Sequence, residues 1–138
     1  MLSQFKKGIA ETVADDDSST HYDLGIAYRE MGLLDDAVGE FETASKSPTK
    51  AADSWFLIGL VRMEQGRPDD ALTALDRAVS APTASQSQQA AAEYQRGVVL
   101  LDQQKGPLAL AAFKRSKSMG GSASDLDWRI QSLIKDCA

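Results

Sequence analysis

The run His21-Tyr22-Asp23-Leu24-Gly25-Ile26-Ala27-Tyr28, continued by Gly32-Leu33-Leu34-Asp35-Asp36-Ala37 and then by Phe41, Ala44 and Pro48, decides the fold because the chain repeats it. Displaced by 34 residues, Gly25 meets Gly59, Gly32 meets Gly66, and Asp35-Asp36-Ala37 meets Asp69-Asp70-Ala71. The same displacement pairs Phe41 with Leu75, Ala44 with Ala78 and Pro48 with Pro82. A third copy follows the second at a displacement of 38, pairing Phe56 with Tyr94, Gly59 with Gly97, Ala71 with Ala109 and Leu75 with Phe113. The four extra residues fall in the polar stretch 83–89, where a loop or an extended helix start can absorb them.

Each copy reads as two helices. In the first, Leu24, Tyr28 and Met31 recur at helical spacing, and Gly25 leaves room for a neighbouring helix to come close. Gly32 stops that helix in a conformation other residues avoid. Asp35 and Asp36 then stand in the first turn of the next helix, where the macrodipole favours acids. Ala37, Phe41 and Ala44 form its inner stripe, and Pro48 prevents continuation. In the second copy Gly66 stops a helix and Pro68 suits the first turn of the next. In the third, Gly106-Pro107 reads as the same signal, displaced two residues late.

Segments at both ends complete the array. Leu2, Phe5, Ile9 and Val13 trace one helical stripe, and Asp15-Asp16-Asp17-Ser18 reads as a solvated linker and N-cap, with a cation site the lesser reading. Ser124 with Asp127 resembles a capping box, after which Leu126, Ile130, Leu133, Ile134 and Cys137 share one face, as expected of a helix that caps a stack. The expected organisation is therefore a single all-α domain over 1–138: an N-terminal helix and acidic linker (1–17), repeats at 18–51, 52–85 and 86–121, and a capping helix at 122–138.

Composition excludes several function classes. Of the chain's 138 residues, 43% are hydrophobic and 25% charged, which suits one soluble domain with a continuous core. No apolar run approaches the length of a membrane span, and residues 1–14 lack the apolar stretch and cleavage site of a signal peptide. Cys137 is the sole cysteine, so no intrachain disulfide forms, which favours a cytoplasmic setting. The net charge of −5 is uneven, with 11 acids against 5 bases in residues 1–53 and 9 against 10 thereafter. The only basic cluster, Lys114, Arg115 and Lys117, reads as a solvated helix end and not as a nucleic-acid stripe.

Catalysis needs titratable groups that converge. His21 is the single histidine and stands where its helix faces its own core; no zinc spacing and no phosphate loop occur. The acid pairs recur with the repeat, so helix-start electrostatics accounts for them. The chain is expected to be non-enzymatic, with no cofactor and no metal.

The residues quoted at the outset resemble a tetratricopeptide repeat, over roughly residues 18–121. That resemblance implies a superhelix whose concave groove is lined by the first helix of each repeat, and a scaffold that binds other proteins. The longer phrase from Phe5-Lys6-Lys7-Gly8 through Gly25-Ile26-Ala27-Tyr28-Arg29-Glu30-Met31-Gly32-Leu33 is similar to C-terminal modules of bacterial SgmX-type polarity and type IV pilus regulators. This second resemblance implies a Ras-like GTPase of the MglA type as partner. Small acidic three-repeat proteins also resemble secretion chaperones for exported apolar segments, and the acidic N-terminal half could stack on upstream repeats of a longer scaffold; both remain alternatives. Arg62, Arg96 and Glu93 depart from the family pattern, at positions where it prefers apolar residues. Either the helices rotate, or the long side chains snorkel outward.

Register sharpens the expected ligand. The three first helices align Tyr22, Phe56 and Tyr94, then Ile26, Leu60 and Val98, then Arg29, Met63 and Leu101, all one turn around from the core stripe Leu24/Ile58/Arg96. These rows either thicken the core or form an apolar groove for a protein partner. Positions that clamp a terminal carboxylate in other members here resemble Tyr22, Ile26, Leu57, Ala91 and Gln95, none cationic. An amphipathic helix or a folded apolar patch is therefore the expected ligand.

Overall fold

The computed structural model describes residues 2–12 and 17–137, and the residues described are helical or in short connections. The helices are α1 (Leu2–Thr12), α2 (Ser18–Glu30), α3 (Leu34–Ala44), α4 (Ala51–Glu64), α5 (Pro68–Ser80), α6 (Gln86–Asp102), α7 (Gly106–Ser118) and α8 (Leu126–Cys137). Pairs α2/α3, α4/α5 and α6/α7 pack internally and against the next pair, α8 packs on α7, and α4 also meets α6. The arrangement is the expected α-α superhelix of three helix pairs with a helix at each end. Val13, Asp15 and Asp16 lie outside the described residues, as does the Ile9 side chain.

Close approach within each pair depends on one glycine. A Cβ built on Gly25 would lie 2.5 Å from the Phe41 ring, on Gly59 2.7 Å from the Leu75 side chain, and on Gly97 2.5 Å from the Phe113 ring. Phe41, Leu75 and Phe113 are fully buried there, each worth about 1.5–3 kcal/mol of transfer free energy. A second device joins successive pairs. Gln65 Nε2 donates to Asp35 Oδ1 at 2.7 Å, and Gln103 Nε2 to Asp69 Oδ1 at 2.9 Å, each running from the end of one first helix to the first turn of the preceding second helix. The acids therefore serve both the helix dipole and the stacking of repeats.

Several sequence expectations need correction. Gly106 does not end a helix: it opens α7, and the left-handed position stays in register at Gln104, whose φ of 62° matches Gly32 at 78° and Gly66 at 70°. Of the two expected ways to absorb the four extra residues, the structure uses the helix and not the loop. These residues extend α5 to Ser80 and start α6 early at Gln86, where Ser85 and Gln88 form a reciprocal capping box. Helix α8 begins at Leu126 with Asp125 before it, so Ser124 is not its cap. Only Leu126, Ile130 and Leu133 of its expected stripe are buried; Ile134 and Cys137 are exposed, because α7 covers a narrower face. Met31 is also exposed, at the end of α2. Asp17 does cap α2, accepting from the Thr20 N–H at 3.1 Å and its hydroxyl at 2.7 Å, and these bonds hold its carboxyl below the ordinary range.

The charged departures from the repeat pattern are resolved by pairing. Glu93 is buried and accepts from Arg96 at 2.9 Å and Arg115 at 3.2 Å, while Arg96 also pairs with Asp76 of α5 at 2.7 Å. A charge this buried persists only with partners, and these three helices supply them. Arg62 reaches Gln65 at 2.9 Å, joining the bond that Gln65 makes to Asp35.

Candidate partner-binding groove

The direct contact of α4 with α6 sets the first helices of successive pairs side by side on one surface. On it the aromatic row Tyr22, Phe56 and Tyr94, the aliphatic row Ile26, Leu60 and Val98, and the outer row Arg29, Met63 and Leu101 are all half-buried. Their inner edges join the core. The Tyr22 ring meets Phe41 edge-on at 5.8 Å, Tyr94 meets Phe113 at 5.5 Å, and Phe56 and Met63 pack against Leu75 and Val99. Tyr22, Ile26, Phe56, Met63, Tyr94, Val98 and Leu101 thus give one edge to the core and keep another toward solvent. Arg29 is engaged by Glu64 of the next repeat.

Two hollows open beside this surface. The first, about 190 Å³, lies between Phe56, Ala91, Tyr94 and Gln95 and the 120–123 connection, with the buried Ser116 at its floor. The Ser116 hydroxyl is spent on the Ala90 carbonyl at 2.7 Å, so that floor offers no free donor. The second, about 180 Å³, is walled by Ala52, Asp53 and Gln88 and shares Phe56, Ser87 and Ala91 with the first. Gln88 donates to Asp53 at 2.9 Å and fixes that wall.

Electrostatics on this surface is acidic. Repeat register places Asp23, Glu30, Asp53, Glu64 and Asp102 on the outer sides of α2, α4 and α6, with Arg29 among them. The Tyr22 phenol is pushed upward, first by burial and then by Asp53 and Asp23, while Lys50 sits 4.8 Å over its ring. At the far end Tyr94 donates to Asp125 at 2.7 Å, and Arg129 donates to both. Sequence reasoning missed Asp125 and Arg129, because their role depends on how α8 docks.

His21 is buried with its Nδ1 against Glu40, a packed partner and not a cleft. Among the described residues no group of three His, Cys, Asp or Glu is placed to hold a metal ion, and no helix is long and apolar enough to cross a membrane.

The family model described as tetratricopeptide repeat matches residues 22–87 and 61–124, most of the chain. The chain belongs to the tetratricopeptide-repeat family. It is a tetratricopeptide-repeat protein-interaction module, of a family whose members are typically non-enzymatic scaffolds. Similar solved structures include the N-terminal domain of stress-induced protein-1 (STI-1) from C. elegans, at TM-score 0.78 and 20% identity over 87% of this chain and 96% of that one. The Yersinia enterocolitica type III secretion chaperone SycD, in complex with a peptide of the translocator YopD, matches at TM-score 0.74 and 12% identity over 93% and 99%. A MamA structure matches at TM-score 0.70 and 21% identity, covering 87% of this chain; the chain spans only 63% of that protein's length. At these identities the likeness is one of tetratricopeptide-repeat fold. No curated protein sequence matches the chain.

Proposed function

We propose that this module is an adaptor that takes an amphipathic segment of another protein, apolar along one side and basic at its flanks, on the surface of α2, α4 and α6. The observation that carries this reading is the pair of hollows sharing Phe56, Ser87 and Ala91. Apolar anchors would seat beside Phe56 and Tyr94, and Lys or Arg flanks would meet the acidic outer row. None of Tyr22, Ile26, Leu57, Ala91 and Gln95 is cationic, which supports the exclusion of a carboxylate clamp.

Ala91 offers a clean test because it is exposed and walls both hollows. The probe is a synthetic helical peptide with Leu and Phe at i, i+4 and i+7 and Lys on its other faces. Wild-type protein should bind it, bind a Glu-for-Lys version at least about tenfold more weakly, and lose a similar factor on Ala91→Lys. Equal binding of both peptides, or unchanged binding by the variant, would remove this reading.

A folded partner can present the same chemistry. The Ras-like GTPase of the MglA type is the version implied by the sequence resemblance, and it demands different affinities for the GTP-loaded and GDP-loaded forms. Equal affinities would end its switching role. The secretion-chaperone alternative draws on the same fold as SycD. It predicts protection of an exported apolar segment, and failure to protect one counts against it.

A further inference from the structure

The rows of the groove have a fourth member. In α6 Arg96 pairs with Asp76 of α5 and Val99 packs on Ala71 and Leu75 of α5, and 34 residues later Ile130 and Leu133 belong, with Leu126, to the buried face of α8. Helix α8 is thus placed as a fourth first helix. In that register Tyr94 corresponds to Trp128, which is 70% exposed. The neighbouring residues confirm the azimuth, since Asp125 and Arg129, equivalent to Ala91 and Gln95, reach across to the Tyr94 hydroxyl.

Trp128 invites a bland explanation, that a further repeat helix covers it. The register argues otherwise. In each complete pair the second helix closes on a glycine, where a Cβ would stand 2.5–2.7 Å from the incoming side chain. The residue of α8 at that place, 34 beyond Gly97, is Gln131. A second helix cannot approach α8 at the distance used by the three pairs, because the glutamine side chain occupies the gap. An exposed indole beside a groove, on a helix unable to accept the usual partner, is matched to something other than the next repeat. Tryptophan is enriched among the residues that dominate binding energy.

We infer that Trp128 is the terminal anchor of the groove, and that the apolar, basic-flanked segment runs from α4 past Tyr94 to α8. This rests on the function proposed above and fixes where the bound segment reaches. Charge supports the same occupant. Asp125 and Asp127 are held by Arg129 and Lys117, but the acidic position that repeats as Glu30, Glu64 and Asp102 continues in α8 as the exposed Asp136, where a Lys or Arg flank meets carboxylate.

The test uses the full chain and the Leu/Phe/Lys peptide. Trp128→Ala should weaken binding about tenfold while leaving circular dichroism unchanged, as expected for an exposed side chain. In a Trp55→Phe background, peptide should shift the emission of the remaining indole to shorter wavelength. Gln131→Glu, on the adjoining face, should not weaken binding. Retained affinity in Trp128→Ala with loss in Ala91→Lys would overturn the terminal anchor and leave the groove standing. No binding of the peptide by the wild-type chain would overturn both.

Discussion

The Tyr94 hydroxyl donates to the Asp125 carboxylate over 2.7 Å, and Arg129 completes the cluster by donating to the hydroxyl at 3.2 Å and the carboxylate at 2.8 Å. The third aromatic of the groove is therefore also the latch of the helix that ends the array. Tyr94→Phe keeps the ring on Phe113 and removes only the oxygen. It should cost about 1 kcal/mol, since the lost bond is charged yet partly solvated. Backbone amides of α8 should then exchange faster with solvent while those of α2–α5 keep their rates. Unchanged exchange in α8 would show that apolar packing of Leu126, Ile130 and Leu133 suffices.

The same cluster gives docking of α8 a pH window. The Tyr94 hydroxyl and Arg129 hold the Asp125 carboxyl below the ordinary range, whereas burial, aided by Asp125, raises the Tyr94 phenol. A depressed carboxyl contributes stability above its unfolded value, about 4, and loses it as pH falls through the folded value. A raised phenol contributes below its unfolded value, about 10, and loses it as pH rises through the folded value. Protection of α8 should be flat between those limits and fall at both ends. Asp125→Asn should abolish the acid limb attributable to this cluster, read as α8 exchange across a pH series.

Backbone conformation supplies a stabilising variant. Gln104 holds a φ of 62°, a region costly for a residue with a Cβ, in the place that glycine takes in the other two repeats. Gln104→Gly should relieve that strain and stabilise the chain by about 0.5–1 kcal/mol in urea unfolding. The reverse change at Gly66, to Ala, should destabilise by about 1 kcal/mol. A loss on Gln104→Gly would mean that the glutamine side chain makes a contribution larger than its backbone strain.

The fold was legible because close helix packing leaves a periodic trace. Gly25, Gly59 and Gly97 cannot change without moving Phe41, Leu75 or Phe113, so small and large residues recur together. What escaped reading was held by contacts between distant segments. Gly106-Pro107 looked like a helix stop because glycine usually supplies the left-handed residue, yet Gln104 keeps the register. Glu93 and Arg96 looked misplaced because their partners lie on α5 or α7, far along the chain, or across a helix turn. Trp128 was available to the 34-residue displacement, which carries Tyr94 onto it, but α8 keeps too few other repeat residues to invite the comparison. The groove rows could be aligned from sequence, whereas their division between core edge and solvent edge required the packed helices.

Glu93 shows how such a network can be tested for what it contributes. Removing it leaves Arg96 with only Asp76 and strands charge beside the core, so Glu93→Ala should cost about 2–3 kcal/mol in chemical denaturation. Glu93→Gln keeps an acceptor and should cost less, about 1–2 kcal/mol. The decisive comparison is the double replacement Glu93→Leu with Arg96→Met, which removes both charges and preserves volume. If the network serves mainly to fix how α5, α6 and α7 register, the double variant should recover most of the stability lost by Glu93→Ala yet bind the Leu/Phe/Lys peptide less well, because Tyr94 follows Glu93 on the same helix. Recovery of both stability and binding would show that apolar packing alone sets the groove.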